Sequence, residues 1–162
     1  MTNAKNLYQN RRSQYALGKN LPLAENEILE IIDNAVKYSP SAFNSQTAHA
    51  VVLLGDNHQK LWDITFEELG KFLPNEDAKT ATKAKLDGFA AAYGTILFFE
   101  DHDVVKGLQE QFPSYADNFP LWSEQSTGIA SFAVWNALAE AFGEIVGEPA
   151  PIERKSRLRV VK

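Results

Sequence analysis

The chain has 162 residues, 44% of them apolar, with a net charge of −5 and no cysteine. This length suits a single domain, here residues 1–162, while the acidic balance disfavours general nucleic-acid binding and the lack of cysteine excludes disulfides, thiolate catalysis and cysteine–zinc sites. There is no apolar run of membrane-spanning length and no signal-peptide core at the N-terminus, so we expect a cytoplasmic protein without membrane contact.

Hydrophobic periodicity predicts a mixture of long helices and few strands, which indicates an α+β or α/β fold with a small sheet. The predicted helices cover residues 2–12, 25–37, 57–72, 78–93, 103–112 and 121–141, and the predicted strands cover 48–54 and 95–99. The helix between Gly128 and Ala139 is apolar on nearly all sides, so it is expected to lie in a core or a subunit interface. In the tail, apolar and basic residues alternate as in a strand.

Two basic clusters are candidate anion sites. The first is Arg11-Arg12-Ser13 at the end of the first predicted helix, and the second is Arg157 with Arg159 in the tail. Guanidinium groups bind a phosphate through paired, charge-assisted hydrogen bonds, and a serine hydroxyl adds a directional donor. The alternative is that the arginines interact with the helix C-terminus or lie in solvent.

A polar loop precedes the first predicted strand. It reads "YSPSAFNSQT" and contains Ser39, Ser41, Asn44, Ser45 and Gln46. Asparagine and glutamine each offer a carbonyl oxygen and an NH2 group, so this loop can bind a planar heterocycle rich in donors and acceptors. The alternative is a helix C-cap followed by an Asx-turn.

Other common site motifs are missing from the sequence. It has no glycine-rich dinucleotide or P-loop motif and no G-x-S-x-G elbow, so Rossmann, P-loop and hydrolase sites lack their signatures. His49, His58 and His102 are isolated, without metal-ligand spacing. We interpret them as ordinary surface or strand-end residues and expect no metal site.

The segments "NRRSQYALG" and "SPSAFNSQTAHAVVL" closely resemble the FMN-dependent nitroreductase family, in particular the branch of bacterial and fungal stress-response nitroreductases. The resemblance continues in order through "AAYGTILFFED", "FPSYADNFPLWSEQSTGIASFAVWNALAE" and "FGEIVGEPAP". It implies an α+β subunit with a small mixed sheet flanked by helices. It also implies a homodimer with FMN at the interface between the subunits.

The resemblance also implies the residues that bind the cofactor, with parts of one site contributed by both subunits. Arg11, Arg12 and Ser13 match the motif that holds the FMN phosphate and ribityl chain. Asn44 and Gln46, with Ser41 nearby, match the loop that contacts the flavin ring. The tail residues Arg157 and Arg159 match basic residues that approach the phosphate.

The reaction implied is transfer of electrons from NADH or NADPH through FMN to a nitroaromatic, a quinone or a similar small-molecule acceptor. The flavin carries this chemistry, so no catalytic side chain is expected. A non-catalytic flavin-binding or interaction protein on the same scaffold is the alternative.

One departure from the family supports that alternative. Family members carry a glycine-containing turn and a further segment after the helix that ends in "WNALAE", and this piece covers one face of the flavin. In this chain Glu140 is followed at once by Ala141-Phe142-Gly143. Two interpretations stay open: the segment is deleted, which predicts a flavin site open on one side, or it is disordered and lies outside these 162 residues, which would fit a protein free of FMN.

Overall fold

The computed structural model describes residues 7–9 and 11–146, with side chains up to Gly143. Residues 7–9 are helical and are followed by an extended segment. Two short 3-10 helices lie at Ala42–Asn44 and Pro113–Asn118. The main elements are α1 (Glu25–Lys37), β1 (Ala48–Leu54), α2 (Gly55–Gly70), α3 (Glu76–Ala90), β2 (Gly94–Glu100), α4 (His102–Gln111) and α5 (Phe119–Val146).

From residue 25 onward the predicted order of elements is confirmed, and most element ends shift by no more than three residues. Of the predicted helix over residues 2–12, residues 7–9 are helical, residues 11 and 12 are not, and the rest lies outside the described residues. The largest difference is at the last helix, because α5 continues through Ala141 to Val146. Neither 3-10 helix was predicted, since they have only three and six residues and show no apolar period. The predicted strand in the tail lies outside the described residues.

The sheet of the described residues has two antiparallel strands, β1 and β2. The register pairs Ala48 with Glu100 and Leu54 with Gly94. The nitroreductase-like fold with a small sheet is therefore as expected, but the mixed pairing that the resemblance implies does not occur within residues 7–146. Gly94 is required by this register, because a Cβ atom there would lie 2.8 Å from the carbonyl oxygen of Leu53.

The core lies where α1 and α5 pack against each other and α5 packs on both strands. Apolar side chains from several helices are buried there or beside it, among them Ile32, Leu86, Val105, Ala130 and Val134. The helix α5 thus contributes one face to the core of its own chain. Its other face, which carries Ile129, Phe132 and Trp135, is exposed in the single chain.

A buried hydrogen-bond network joins α2 to β2 and α3. His58, which the sequence suggested to be a surface residue, is only 3% exposed. Its Nε2–H donates to the carbonyl oxygen of Ala90 (3.1 Å), so its Nδ1 accepts from the Thr95 hydroxyl (2.9 Å). The Nε1–H of Trp62 donates to the same hydroxyl oxygen at 3.2 Å. The surface interpretation of His58 was wrong because these partners lie more than thirty residues away in sequence.

Replacing Thr95 by valine is expected to lower the free energy of unfolding by about 1–3 kcal/mol, because Trp62 Nε1–H and His58 Nδ1 both lose their partner. Urea unfolding measures this. The control is Thr65→Val, which removes a hydroxyl that donates to the Leu61 carbonyl within α2 and leaves no buried group without a partner. Equal stability losses in the two variants would contradict the role given to the network.

Candidate functional site

Two of the three serines in the polar loop, Ser39 and Ser41, bond to the backbone. The hydroxyl of Ser39 donates to the carbonyl oxygen of Ala35 (2.7 Å) at the end of α1. Ser41 Oγ accepts the backbone N–H of Gln46 (2.9 Å), and the Ser41 carbonyl accepts the N–H of Asn44 (3.0 Å). For Ser39, the alternative of a helix C-cap is therefore correct. In contrast, the side chains of Asn44 and Gln46 are exposed and bond to no described residue, so their amides are available to a ligand.

The backbone of this loop is strained. Phe43, Asn44 and Gln46 have φ angles of 57°, 51° and 51°, in the left-handed region that residues with a side chain rarely adopt. Each such residue costs roughly 1–2 kcal/mol, although asparagine tolerates it better than the others. Strain of this kind persists only where the surroundings fix the conformation, and it is frequent at binding sites.

An aromatic cluster fixes the first part of the loop. The ring of Phe43 lies between four aromatic side chains of the segment 112–122. The distances between ring centroids are 5.0 Å to Phe112, 5.8 Å to Tyr115, 5.2 Å to Phe119 and 5.8 Å to Trp122. Offset and edge-to-face pairs at such distances are favourable.

Thr47 fixes the other end of the loop. Its side chain is fully buried, and its hydroxyl oxygen accepts the Ser123 hydroxyl of α5 at 2.9 Å. Its carbonyl oxygen accepts the backbone N–H of Asp101 at 2.9 Å. The loop is thus held between the aromatic cluster and the start of β1.

A cavity of about 210 Å³, with both polar and apolar side chains in its wall, lies beside this loop. Its wall includes Ser39, Ser41 and Gln46 from the loop, His49 from β1, and Ser126 with Ala130 from α5. Hydroxyl, amide and imidazole groups therefore converge there, as in sites where a few polar groups fix the orientation of a small ligand.

His49 is a cavity residue that the sequence analysis assigned no role. Its Nε2 lies 3.8 Å from Asp101 Oδ2. The backbone N–H of Val104, and then that of Asp103, bond to Asp101 and hold the pKa of this carboxyl below its ordinary value. A carboxylate thus lies beside the His49 ring at the edge of the cavity. Only the pairing of β1 with β2 reveals this neighbour, because the two residues are 52 positions apart.

The basic cluster near the N-terminus packs against α5. The guanidinium carbon of Arg11 is 3.9 Å from the ring centroid of Trp135, a cation–π contact. Arg12 Nη1 donates to the Arg11 carbonyl oxygen at 2.9 Å. Its Nε is buried and has no hydrogen-bond partner among the described residues. Both arginines are half-buried, and Ser13 beside them is exposed.

The structure brings Ser41, Asn44 and Gln46 together in one loop, and Arg11 with Arg12 in a second cluster. Both groups border α5, but no hydrogen bond between described residues joins them within one chain. The tail residues Arg157 and Arg159 lie outside the described residues.

The end of α5 lies where the resemblance implies a turn and a covering segment. The helix passes without interruption from Glu140 through Phe142 to Val146. Leu138 and Phe142 help to line a second, apolar cavity of about 330 Å³, together with Ile32 of α1 and Val52 of β1. Instead of a turn and a covering segment, this chain has two additional helical turns at most.

Among the helices of residues 7–146, none is long and apolar enough to cross a membrane.

Comparison with known proteins identifies the family. A sequence model described as the nitroreductase family matches residues 8–143. HBN1 of Saccharomyces cerevisiae is 36% identical over 135 residues, which are 82% of this chain and 66% of HBN1, just under two thirds of that relative's length.

Solved structures agree with this assignment. The nitroreductase CinD of Lactococcus lactis, in complex with chloramphenicol, is 42% identical, aligns over 98% of both chains and has a TM-score of 0.75. A structure from Exiguobacterium sibiricum with bound FMN is 14% identical with a TM-score of 0.51, which supports the fold alone. The chain therefore belongs to the nitroreductase family.

Proposed function

We propose that this protein is an FMN-dependent oxidoreductase that takes electrons from NADH or NADPH and passes them to nitroaromatic, quinone or similar acceptors. The observation that carries the proposal is the loop that holds the exposed amides of Asn44 and Gln46 beside a cavity, in a chain of this family. The cytoplasmic location and the single domain over residues 1–162 stay predictions.

The residues of the N-terminal basic cluster and of the polar loop suit different parts of FMN. The buried Nε of Arg12 and the exposed hydroxyl of Ser13 are donors suited to the phosphate and the ribityl chain, and Arg11 adds positive charge. The tail residues Arg157 and Arg159 are proposed to approach the same phosphate. The amides of Asn44 and Gln46, with the Ser41 hydroxyl, suit the polar edge of the ring.

When bound, FMN supplies the redox chemistry: a hydride from NAD(P)H becomes two electrons and a proton for the acceptor. The chain itself binds the phosphate, orients the ring and shapes the cavity beside it. Support for the class of acceptor comes from CinD, which was solved with chloramphenicol and with 4-nitrophenol, two molecules that carry a nitro group on a benzene ring.

Anaerobic mixing of the FMN-loaded protein with NADH or NADPH tests the proposal. We expect the yellow colour to bleach and to return when a nitroaromatic is added. Colour that persists in excess NAD(P)H would contradict the enzyme and support the alternative, a non-catalytic flavin-binding protein. The uninterrupted course of α5 favours that alternative, because the helix continues where the resemblance implies a segment that covers the flavin.

We also propose a homodimer that buries the exposed face of α5. This face presents Ile129, Phe132 and Trp135 at intervals of three residues, and the Tyr8 ring stacks on Phe132 with centroids 6.0 Å apart. A contiguous apolar stripe of this kind marks an interface, and an obligate one buries about 2,000–5,000 Å². A dimer would also allow Arg11 and Arg12 of one subunit to complete the loop site of the other.

The variant Ile129→Glu is expected to be a monomer, because it places a charge in the proposed interface. Light scattering should then give about half of the wild-type mass. Ile64→Glu is the matched control, since Ile64 on α2 is 48% exposed and Ile129 is 45% exposed; this variant should stay dimeric. A wild-type monomer of 18.1 kDa with native circular dichroism would refute the dimer.

A further inference from the structure

Phe43 is in an unusual position for an aromatic residue. Its backbone is left-handed and its ring contacts four aromatic side chains, yet 49% of the residue is exposed. A residue that only fills a core would be more buried, and nothing in core packing requires a positive φ. The ring instead ties a strained backbone to a distant part of the chain.

The consequence concerns the residues that follow. Only Asn44, Ser45 and Gln46 lie between Phe43 and the buried Thr47, and Asn44 and Gln46 are also left-handed. With both ends held, the backbone of these three residues has little freedom, so the Cα–Cβ bonds of Asn44 and Gln46 keep fixed directions. Without the aromatic contacts, the backbone at residue 43 would return to the more favourable region with negative φ, and both amides would turn with it.

We propose that Phe43 is a positioning residue: its ring, held by the aromatic cluster, keeps the amides of Asn44 and Gln46 preorganised for the flavin ring. This inference rests on the proposed function, because it assigns a role within the same site. Preorganisation raises affinity because the binding-competent conformation is already populated before the ligand arrives. Phe43 itself need not touch the flavin.

The test compares FMN and riboflavin, which share the ring and differ in the phosphate. For the full chain carrying Phe43→Ala, flavin fluorescence titration should show both ligands bound about tenfold more weakly, because the loss of aromatic pairs lowers the population of the competent loop. Phe43→Tyr keeps the ring and should bind both flavins as the wild type does. Phe72→Ala is the matched control, since Phe72 is 83% exposed after α2, and should change neither.

A second measurement separates positioning from general destabilisation. The midpoint potential of bound FMN depends on the hydrogen bonds at the ring, so Phe43→Ala should displace it toward the value for free FMN. The milder Phe43→Leu, which keeps apolar volume, should give a smaller shift in the same direction. It serves in place of Phe43→Ala if that variant fails to fold, as judged by circular dichroism.

The outcomes separate the two proposals. If the wild type binds neither flavin, the proposed function is wrong and the loop has no flavin to receive. If the wild type binds FMN but the folded Phe43 variants keep the wild-type affinities and midpoint potential, the role of Phe43 is overturned and the proposed function stands. A loss of affinity for FMN alone would also overturn it, because the phosphate would then be the part affected.

Discussion

Replacing Arg12 by alanine is expected to weaken FMN binding by about 10- to 100-fold and to leave riboflavin binding unchanged. A hydrogen bond to a charged group contributes roughly 1.5–3 kcal/mol, and riboflavin has no phosphate to receive it. One arm of the Arg12 guanidinium is already bonded to the Arg11 carbonyl, so the group is fixed in place before the ligand binds. Fluorescence titration with both flavins measures the two affinities.

Two further variants sharpen this experiment. Arg12→Lys keeps the charge but loses the planar fork, so it should recover only part of the affinity for FMN. Lys79→Ala is the control for charge, because Lys79 forms an exposed ion pair with Glu76 on α3, away from the polar loop and from the N-terminal basic cluster. Equal affinity of the wild type for FMN and riboflavin would refute the phosphate role of the four arginines, namely Arg11, Arg12, Arg157 and Arg159.

The sequence predicts the elements well because their signals are local. The apolar stripe of α1 and the proline at position 40 predict that helix to within a residue, and the short apolar runs predict β1 and β2. The residue types mark the loop and the basic cluster as candidate sites, and the resemblance adds their expected roles in FMN binding. Asn44 and Gln46 are exposed in that loop, as a ligand-binding role requires.

Contacts between distant parts of the chain could not be predicted in this way. Phe43 lies in the loop, and nothing near it in the sequence indicates that the segment 112–122 will surround its ring. The same holds for His49 beside Asp101 and for the buried position of His58. Ser39 shows a different difficulty, because one hydroxyl can serve either a ligand or a helix end, and only the distance to Ala35 decides between them.

The departure from the family after Glu140 is described by the sequence and the structure together. The resemblance implies a covering segment after Glu140, and in this chain α5 continues there, with Phe142 helping to line an apolar cavity. With one face of the flavin open to water, charge that develops on the ring during reduction would lose preorganised donors and a low-dielectric surrounding. Both strengthen electrostatic stabilisation in a closed site.

The native chain is therefore expected to reduce nitroaromatics slowly. Inserting after Glu140 the segment that family members carry there should raise kcat by about 10²–10³, the effect of one preorganised donor. It should also tighten FMN binding, so that excess FMN raises the melting temperature more than in the native chain.

A glycine–serine insert of equal length is the matched control, because it interrupts α5 at the same place without supplying donors or cover. It should leave kcat at the native level. Both inserted chains need an intact mass and a circular dichroism spectrum that confirm a folded protein of the intended length. If the native chain of 18.1 kDa already turns over as fast as the chain with the family segment, cover over the flavin is dispensable, and the slow turnover expected here is wrong.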